Sequence, residues 1–509
     1  MTSKHPSQHP PRRRWRRLLG ATGTLLLTLA TFAGILAAGA VVTERSLHQP
    51  VPTTSAQASR TAYTEPASLA GNANPQRHRR LVVAFVVGKS GTIASDLLAP
   101  YDIFASSPAF TTYVVAATAG PATLEGGPAL LPTHTFTGVD ADPALTPDLV
   151  VVPALTQPTG AVEAPLRTWV ARQHHDGAKV LGVCSGSLVL AATGILDGLH
   201  ATSHWSRISA LQASRPAVHW MRGRRYVEDG SVTTSAAVTS GVPAALHLVA
   251  ELAGPAEAQR VAALHPELGW TPTETTNIPD DHFAAGDWPV GLNYLQPWLR
   301  PTIGVALRDG VGELDATASF EAYNQSGAAR TVAIAATDTI RTRHGLTLLT
   351  TPLTQAPDLS RVVVPGADKT DAIDPRLRTW ADSQRLIIEP LAGRPGPDGS
   401  RGGGGGFTAA LQNLADHTDA ATTSATAKMV GYPTTDLTLG PKHRSWRTVL
   451  LALASLVLAA LIGRAPARLA RRRRRRSLAL DNASVVSWTH PPTPYSPLAP
   501  VNATFQSPE

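Results

Sequence analysis

Cysteine is almost absent from this chain. A single one, Cys184, stands in 509 residues. That excludes a disulfide framework within the chain and a cysteine-rich zinc site. Charge is scarce too, at 16% of residues, low for a protein folded wholly in water, and this points to membrane segments. The net charge of +8 belongs to the ends. Residues 1–17 hold six basic groups and no acid, and residues 464–509 hold eight arginines against Asp481 and Glu509. The middle keeps 31 basic and 35 acidic residues. It therefore lacks the basic surplus that a nucleic-acid-binding face needs. What the chain does have is apolar material, 43% of residues. That is enough to build cores, so disorder throughout is excluded, and the length suits two or three domains.

Two apolar runs stand out. Leu18 to Val42 is 25 residues without a charge, longer than the roughly 20 that a membrane-crossing helix requires. A cleaved signal peptide, with Ala38 and Ala40 at the cleavage site, is the competing reading, but signal cores run only about 7–15 apolar residues. Thr448 to Gly463 is a shorter run between Arg447 and Arg464. Snorkelling arginines let such a length span. The arginine clusters beyond both runs favour the cytoplasmic side. The expected layout is then a basic cytoplasmic tail over 1–17, a transmembrane helix over 18–42 and a flexible stalk over 43–80. The extracytoplasmic domains follow, then a transmembrane helix over 447–464 and an Arg-rich, Pro/Ser-rich cytoplasmic tail over 465–509, disordered from Ser477 onward. The expected location is the cell membrane, with two passes and both termini cytoplasmic.

Between the runs the pattern alternates. Leu81–Val87, Tyr113–Ala117, Asp148–Val152, Lys179–Val183 and Val232–Thr234 are strand-like. Ile93–Ala105, Ala161–Gln173, Ser185–Ala192 and Ala244–Leu252 have helical spacing. Strands alternating with helices imply a parallel sheet covered on both faces. The fold class is therefore α/β, with a domain over 81–265, a proline-rich linker over 266–299 and a second alternation over 300–440. The second alternation repeats the first at three places. Ser95 to Asp102 aligns with Leu314 to Glu321, Pro147-Asp148-Leu149 with Pro357-Asp358-Leu359, and Leu166-Arg167-Thr168-Trp169 with Leu377-Arg378-Thr379-Trp380. Both copies of the first segment hold an acid and a second acid six residues on. The second half has no thiol.

Gly182-Val183-Cys184-Ser185-Gly186 has the form G-x-C-x-G between a strand and a helix. With serine at its centre this is a nucleophile elbow. A sharp strand-to-helix turn needs small neighbours, which the two glycines supply. It sets the sulfur beside a helix N-terminus, where thiolate is favoured and where the Ser185 amide can face a developing oxyanion. The alternative is an inert buried cysteine. The Gly402–Gly406 run lacks the Lys-Ser/Thr of a phosphate loop and reads as a flexible loop. His174-His175 lack further ligands at metal spacing and read as a solvated helix end.

Gly182 to Gly198, then Ala201-Thr202-Ser203-His204-Trp205, Asp229 to Ser235 and Gly241 to Val249 together resemble the ThiJ/PfpI family of the class I glutamine amidotransferase-like superfamily. The likeness is closest to the branch shared by isonitrile hydratase-like enzymes and the sensor halves of AraC-type regulators. It covers about residues 81–265; residues 300–440 resemble the family only weakly, as a degenerate copy. The resemblance implies a flavodoxin-like sandwich, often dimeric, with Cys184 at the carboxyl end of the sheet. It implies an acid from the first strand–helix region on the thiol, which Asp96 matches, with Asp102 further along the same helix. It implies a nearby histidine at His204 and oxyanion amides from the loop Pro153-Ala154-Leu155 and from Ser185. Ser185 stands where protease-like members carry histidine, so proteolysis loses support. No helix-turn-helix segment follows the first domain, unlike the regulators.

Two functions remain open. The first is a cysteine-dependent hydrolase or hydratase acting on a small carbonyl-like or nitrile-like substrate, with Cys184, Asp96 and His204 as catalytic residues, Ser185 and Ala154 on the oxyanion, and Gly182 and Gly186 shaping the elbow. The second is a non-catalytic, membrane-tethered ligand-sensing module. The expected partners are a small molecule, the membrane and a second copy in a homodimer, with no nucleic acid, metal or cofactor.

Overall fold

The computed structural model describes residues 12–47, 79–265, 270–367, 373–391, 406–439 and 446–486. The expectations for residues 1–11, most of the stalk (48–78), residues 402–405 and the tail beyond 486 fall outside these.

The first domain is built on β1 (Leu81–Val87), β2 (Phe110–Ala116), β3 (His134–Thr135), β4 (Leu149–Val152), β5 (Lys179–Gly182), β6 (Tyr226–Asp229) and β7 (Val232–Ser235). They form one sheet in the order β6-β7-β5-β4-β1-β2-β3. All neighbours described are parallel except the β6–β7 hairpin. β1 shows why: Val83, Phe85 and Val87 face one core and Val82, Ala84 and Val86 the other. A strand buried on both faces loses the polar alternation of a half-exposed one, and such strands belong to parallel sheets covered by helices.

A long helix, α1 (Arg12–Leu47), precedes this domain. Its covering helices are α2 (Ala94–Ala105), α3 (Phe136–Ala141), α4 (Ala164–His175), α5 (Gly186–Thr193), α6 (Trp205–Ser214), α7 (Gly241–Ala253) and α8 (Pro255–Ala262). The region over 266–299, read as a linker, carries a further helix, α9 (Trp288–Leu295), started by Pro289 in the first turn.

A second parallel sheet follows, from β8 (Thr302–Ala306), β9 (Arg330–Ala335), β10 (Thr351–Pro352), β11 (Arg361–Pro365) and β12 (Ile388–Leu391), in the order β10-β9-β8-β11-β12. This is the order of β3-β2-β1-β4-β5. Its helices are α10 (Glu313–Ser326), α11 (Pro375–Gln384), α12 (Gly406–His417) and α13 (Ala420–Val430). Both sheets share one core. Phe85, Leu97 and Phe104 of the first half lie in the same buried cluster as Val305, Phe320 and Leu411 of the second. α2 packs on α10 at its centre. The strands Thr339–Arg341 and Thr347–Leu349 pair with each other, and Thr347–Leu349 also pairs with Leu130–Leu131 of the first half.

Two helices are long and apolar enough to cross a membrane: α1, with its apolar window over Thr22–Ser46, and α14 (Trp446–Val486), with its window over Val449–Pro466. Residues up to 35 and from 453 onward form one compact unit, and residues 36–452 another. Within the first unit the helices touch at Gly463, where a Cβ would come within 2.3 Å of Thr28 Oγ1. Small residues permit such close helix approach in lipid.

Two boundaries differ from expectation. α1 runs past the expected stalk boundary to Leu47, and Thr43 is buried and donates to the Tyr294 carbonyl at 2.6 Å. α14 continues beyond Arg476 to Val486, because its arginines, leucines and alanines are strong helix formers.

Candidate functional site

β5 delivers the chain to Cys184, whose φ of +55° lies in the left-handed region. A non-glycine residue held there costs about 1–3 kcal/mol and needs surroundings that enforce it. They are present. The Gly186 amide donates to the Val183 carbonyl at 2.7 Å, closing the turn. The Cys184 amide donates to Ser235 Oγ at 3.3 Å, and the Cys184 carbonyl accepts from Ser187 Oγ at 3.1 Å and Ser203 Oγ at 3.4 Å. The elbow glycines are there for space. A Cβ on Gly186 would stand 2.0 Å from the Val152 carbonyl oxygen, and one on Gly182 2.8 Å from Leu190 Cδ1.

Asp96 is the third residue of α2 and fully buried. It does not cap the helix; Ile93 holds that position. Asp96 Oδ2 accepts from the Ala154 amide at 3.2 Å, and the side chain also hydrogen-bonds with Cys184. The structure therefore brings Asp96 and Cys184 together. It also shows the Ala154 amide, expected on an oxyanion, committed to Asp96 instead. The Ser185 amide and hydroxyl both act on the sulfur.

Burial pushes the Cys184 thiol well above its ordinary value, the neighbouring Asp96 adds to the rise, and the Ser185 amide works against it. The helix N-terminus thus does not produce the free thiolate that its position suggests. Asp96 is likewise raised, first by burial and then by Glu321, while the Ala154 amide and Cys184 oppose the rise. Both shifts favour the protonated forms, so the pair can hand a proton to a bound group or take one back.

His204 lies at the start of α6 with both ring nitrogens in hydrogen bonds. Nε2 contacts the Met429 carbonyl at 2.8 Å, and a carbonyl can only accept, so Nε2 carries the proton. Nδ1 then accepts from Ser206 Oγ at 2.7 Å and from the Ser206 amide at 3.3 Å. Burial holds the imidazole below its usual pKa. The ring fastens α6 to α13, as does Trp205, whose Nε1 donates to the Lys428 carbonyl.

Sequence reasoning missed Glu321. This buried residue of α10 accepts from Ser95 Oγ at 2.8 Å, beside Asp96. Reciprocally, Asp102 Oδ2 accepts from the Leu314 amide at 2.9 Å. Ser95 and Leu314, and Asp102 and Glu321, are the pairs that the internal alignment matches at one offset. That spacing was the available signal. In the second half Asp315, aligned with Asp96, accepts from the Gly406 amide at 2.7 Å, and no thiol is present.

Two cavities open at the carboxyl ends of corresponding strands. One, of about 540 Å³, lies by β8 and β9 with Arg308, Thr337 and Arg376 on its walls. The other, of about 90 Å³, lies by β1 and β2 beside Lys89 and Glu163. Neither is lined by Cys184 or Asp96.

A parallel α/β sandwich with a strained cysteine elbow and an apposed carboxyl defines the class of the first domain. The family model described as DJ-1/PfpI family matches residues 82–251. The isonitrile hydratase of Pseudomonas putida is 33% identical over 192 residues, covering 36% of this chain and 78% of the hydratase. The chain belongs to the DJ-1/PfpI family. The HTH-type transcriptional regulator CdhR of Pseudomonas aeruginosa is 36% identical over 142 residues, 27% of this chain and 41% of the regulator. Among solved structures, a ThiJ/PfpI family protein from Pseudomonas syringae is 29% identical, covers 41% of this chain and 85% of its own, and has a TM-score of 0.34.

Proposed function

We propose that this chain is a membrane-anchored sensing module in which Cys184 and Asp96 form the ligand-responsive site and the second half reads its state. The observation that carries this is the contact of Glu321, on α10 of the second half, with Ser95 and its charge on Asp96. Any event that alters the Cys184–Asp96 pair reaches Glu321 through Ser95 and Asp96. The buried thiol, the occupied Ala154 amide and the diverted His204 all take away parts that turnover would use.

The second half, residues 300–440, is a degenerate copy of the first, residues 81–265. The identical strand order and the reciprocal Asp102–Leu314 and Glu321–Ser95 bonds support this. A copy packed across α2 and α10 occupies within one chain the place of a second subunit, so the homodimer expected from the family resemblance is not required. α1 and α14 anchor the module. The arginines flanking both apolar windows favour a layout with both ends in the cytoplasm and the two halves outside it.

The test uses the full chain in detergent micelles. Cys184 is alkylated with a small electrophile, and amide hydrogen exchange is followed along α10. Faster exchange over Glu313–Ser326, absent when Cys184→Ser is treated alike, is expected. Unchanged exchange in α10 after complete alkylation sinks the proposal.

A second reading is favoured by one observation, the 33% identity to isonitrile hydratase over 78% of that enzyme. Here Cys184 and Asp96 would steer water onto the terminal carbon of a small isonitrile to give a formamide. Turnover of a small isonitrile that Cys184→Ala abolishes would establish it.

A further inference from the structure

Away from Cys184, four side chains converge where the two halves meet. Asp102 comes from α2 and His265 from the segment after α8, both in the first half. Glu313 opens α10, and His344 lies in the turn between the strands Thr339–Arg341 and Thr347–Leu349, both in the second. His344 Nδ1 stands 2.9 Å from Glu313 Oε2 and 3.4 Å from Asp102 Oδ1. His265 Nε2 stands 3.8 Å from Asp102 Oδ1. The carboxylates are buried almost completely, at 1% and 0% side-chain exposure.

Asp102, Glu313 and His344 are each held from behind and present one atom inward. Asp102 uses Oδ2 on the Leu314 amide, and its Oδ1, though buried, makes no hydrogen bond. Glu313 uses Oε1 on the His344 amide at 2.9 Å and turns Oε2 inward. His344 Nε2 contacts Ser106 Oγ at 3.4 Å, which leaves Nδ1 facing the carboxylates. Such outer contacts are what fix the orientation and tautomer of metal ligands. Two buried carboxylates facing one another are costly without positive charge nearby, and here imidazoles stand against them.

The spacings agree with a coordination shell. Zinc bonds to nitrogen and oxygen run about 2.0–2.2 Å, which in a tetrahedron separates the donor atoms by about 3.4 Å. The separations of 3.4 and 3.8 Å are close to that, and the 2.9 Å contact must open by roughly half an ångström. We propose that Asp102 Oδ1, Glu313 Oε2 and His344 Nδ1, whose donor atoms lie within 4.8 Å of one another, bind one divalent transition-metal cation of the zinc class, which pins the two halves together, with His265 beside Asp102. An imidazole with two carboxylates suits zinc and its first-row neighbours better than calcium or magnesium. The two carboxylate donors are buried between the two halves, which fits a structural site.

The full, untagged chain in detergent micelles is stripped with a chelator, titrated with zinc against a chromophoric chelator, and melted with and without zinc. One tight equivalent per chain and a higher melting temperature are expected. Glu313→Gln and His344→Asn should each weaken binding at least tenfold and cancel the melting shift. Cobalt in place of zinc should give tetrahedral visible bands without a thiolate charge-transfer band. No tight equivalent in the parent chain overturns the proposal, whatever the variants do. So does binding that survives both substitutions, or a thiolate band that Cys184→Ser removes, which would place the metal at the cysteine.

Discussion

Replacing Glu321 by glutamine probes the contact between the halves directly. Glu321 is fully buried and its carboxyl is raised by that burial, with the Ser95 hydroxyl and the Gln325 amide opposing the rise. Asp96, Tyr294 and Cys184 each feel its charge as an upward push. A carboxyl raised on folding holds a proton that the unfolded chain releases. Its stability contribution is complete below the ordinary carboxylate pKa and is lost as pH climbs toward the folded value. Within that window each such group lowers stability by up to about 1.4 kcal/mol per pH unit. Glutamine keeps an oxygen for Ser95 Oγ and cannot ionise, so Glu321→Gln removes one group's slope and relieves Asp96 as well. For a body of this size about 2–4 °C of melting temperature accompanies each kcal/mol. Thermal unfolding of the full chain between about pH 5 and pH 8 should therefore fall several degrees less in the variant, with the curves meeting at the acid end. Parallel curves would refute the upward shift of the buried Glu321 carboxyl.

Two further outcomes follow from the elbow and its surroundings. Gly186→Ala sets a methyl group against the Val152 carbonyl 2.0 Å away. A cost of at least about 1–3 kcal/mol is expected, seen as a lower melting temperature, whereas Ser185→Ala should fold normally. His204→Ala leaves the Met429 carbonyl without its donor and should cost roughly 1–3 kcal/mol, while the alkylation rate of Cys184 stays as in the parent chain. A changed rate with unchanged stability would return His204 to the cysteine site.

Much of the fold was written locally. The apolar strands, the helical spacings and the G-x-C-x-G turn depend on contacts within a few residues; the glycine at 186 is also demanded by the Val152 carbonyl of a neighbouring strand, a contact that only the fold makes. The internal repeat also showed that acids recur at Asp102 and Glu321. Cys184 and Ser185 were legible together because one strand, one turn and one helix start hold them; Asp96, on α2, came only from the family resemblance. The site was not legible in the fates of His204 and Ala154. A histidine takes whichever acceptor the fold offers, and the Met429 carbonyl lies 225 residues away. An amide donates to the nearest carboxylate, which was Asp96. The thiol's state followed the same rule: the helix start was visible in the chain, but burial, which outweighs it, exists only after the two halves close. Glu321 and the Asp102–Glu313–His344–His265 cluster likewise arise only when α2 meets α10, because charge and desolvation act through space and take no account of separation along the chain.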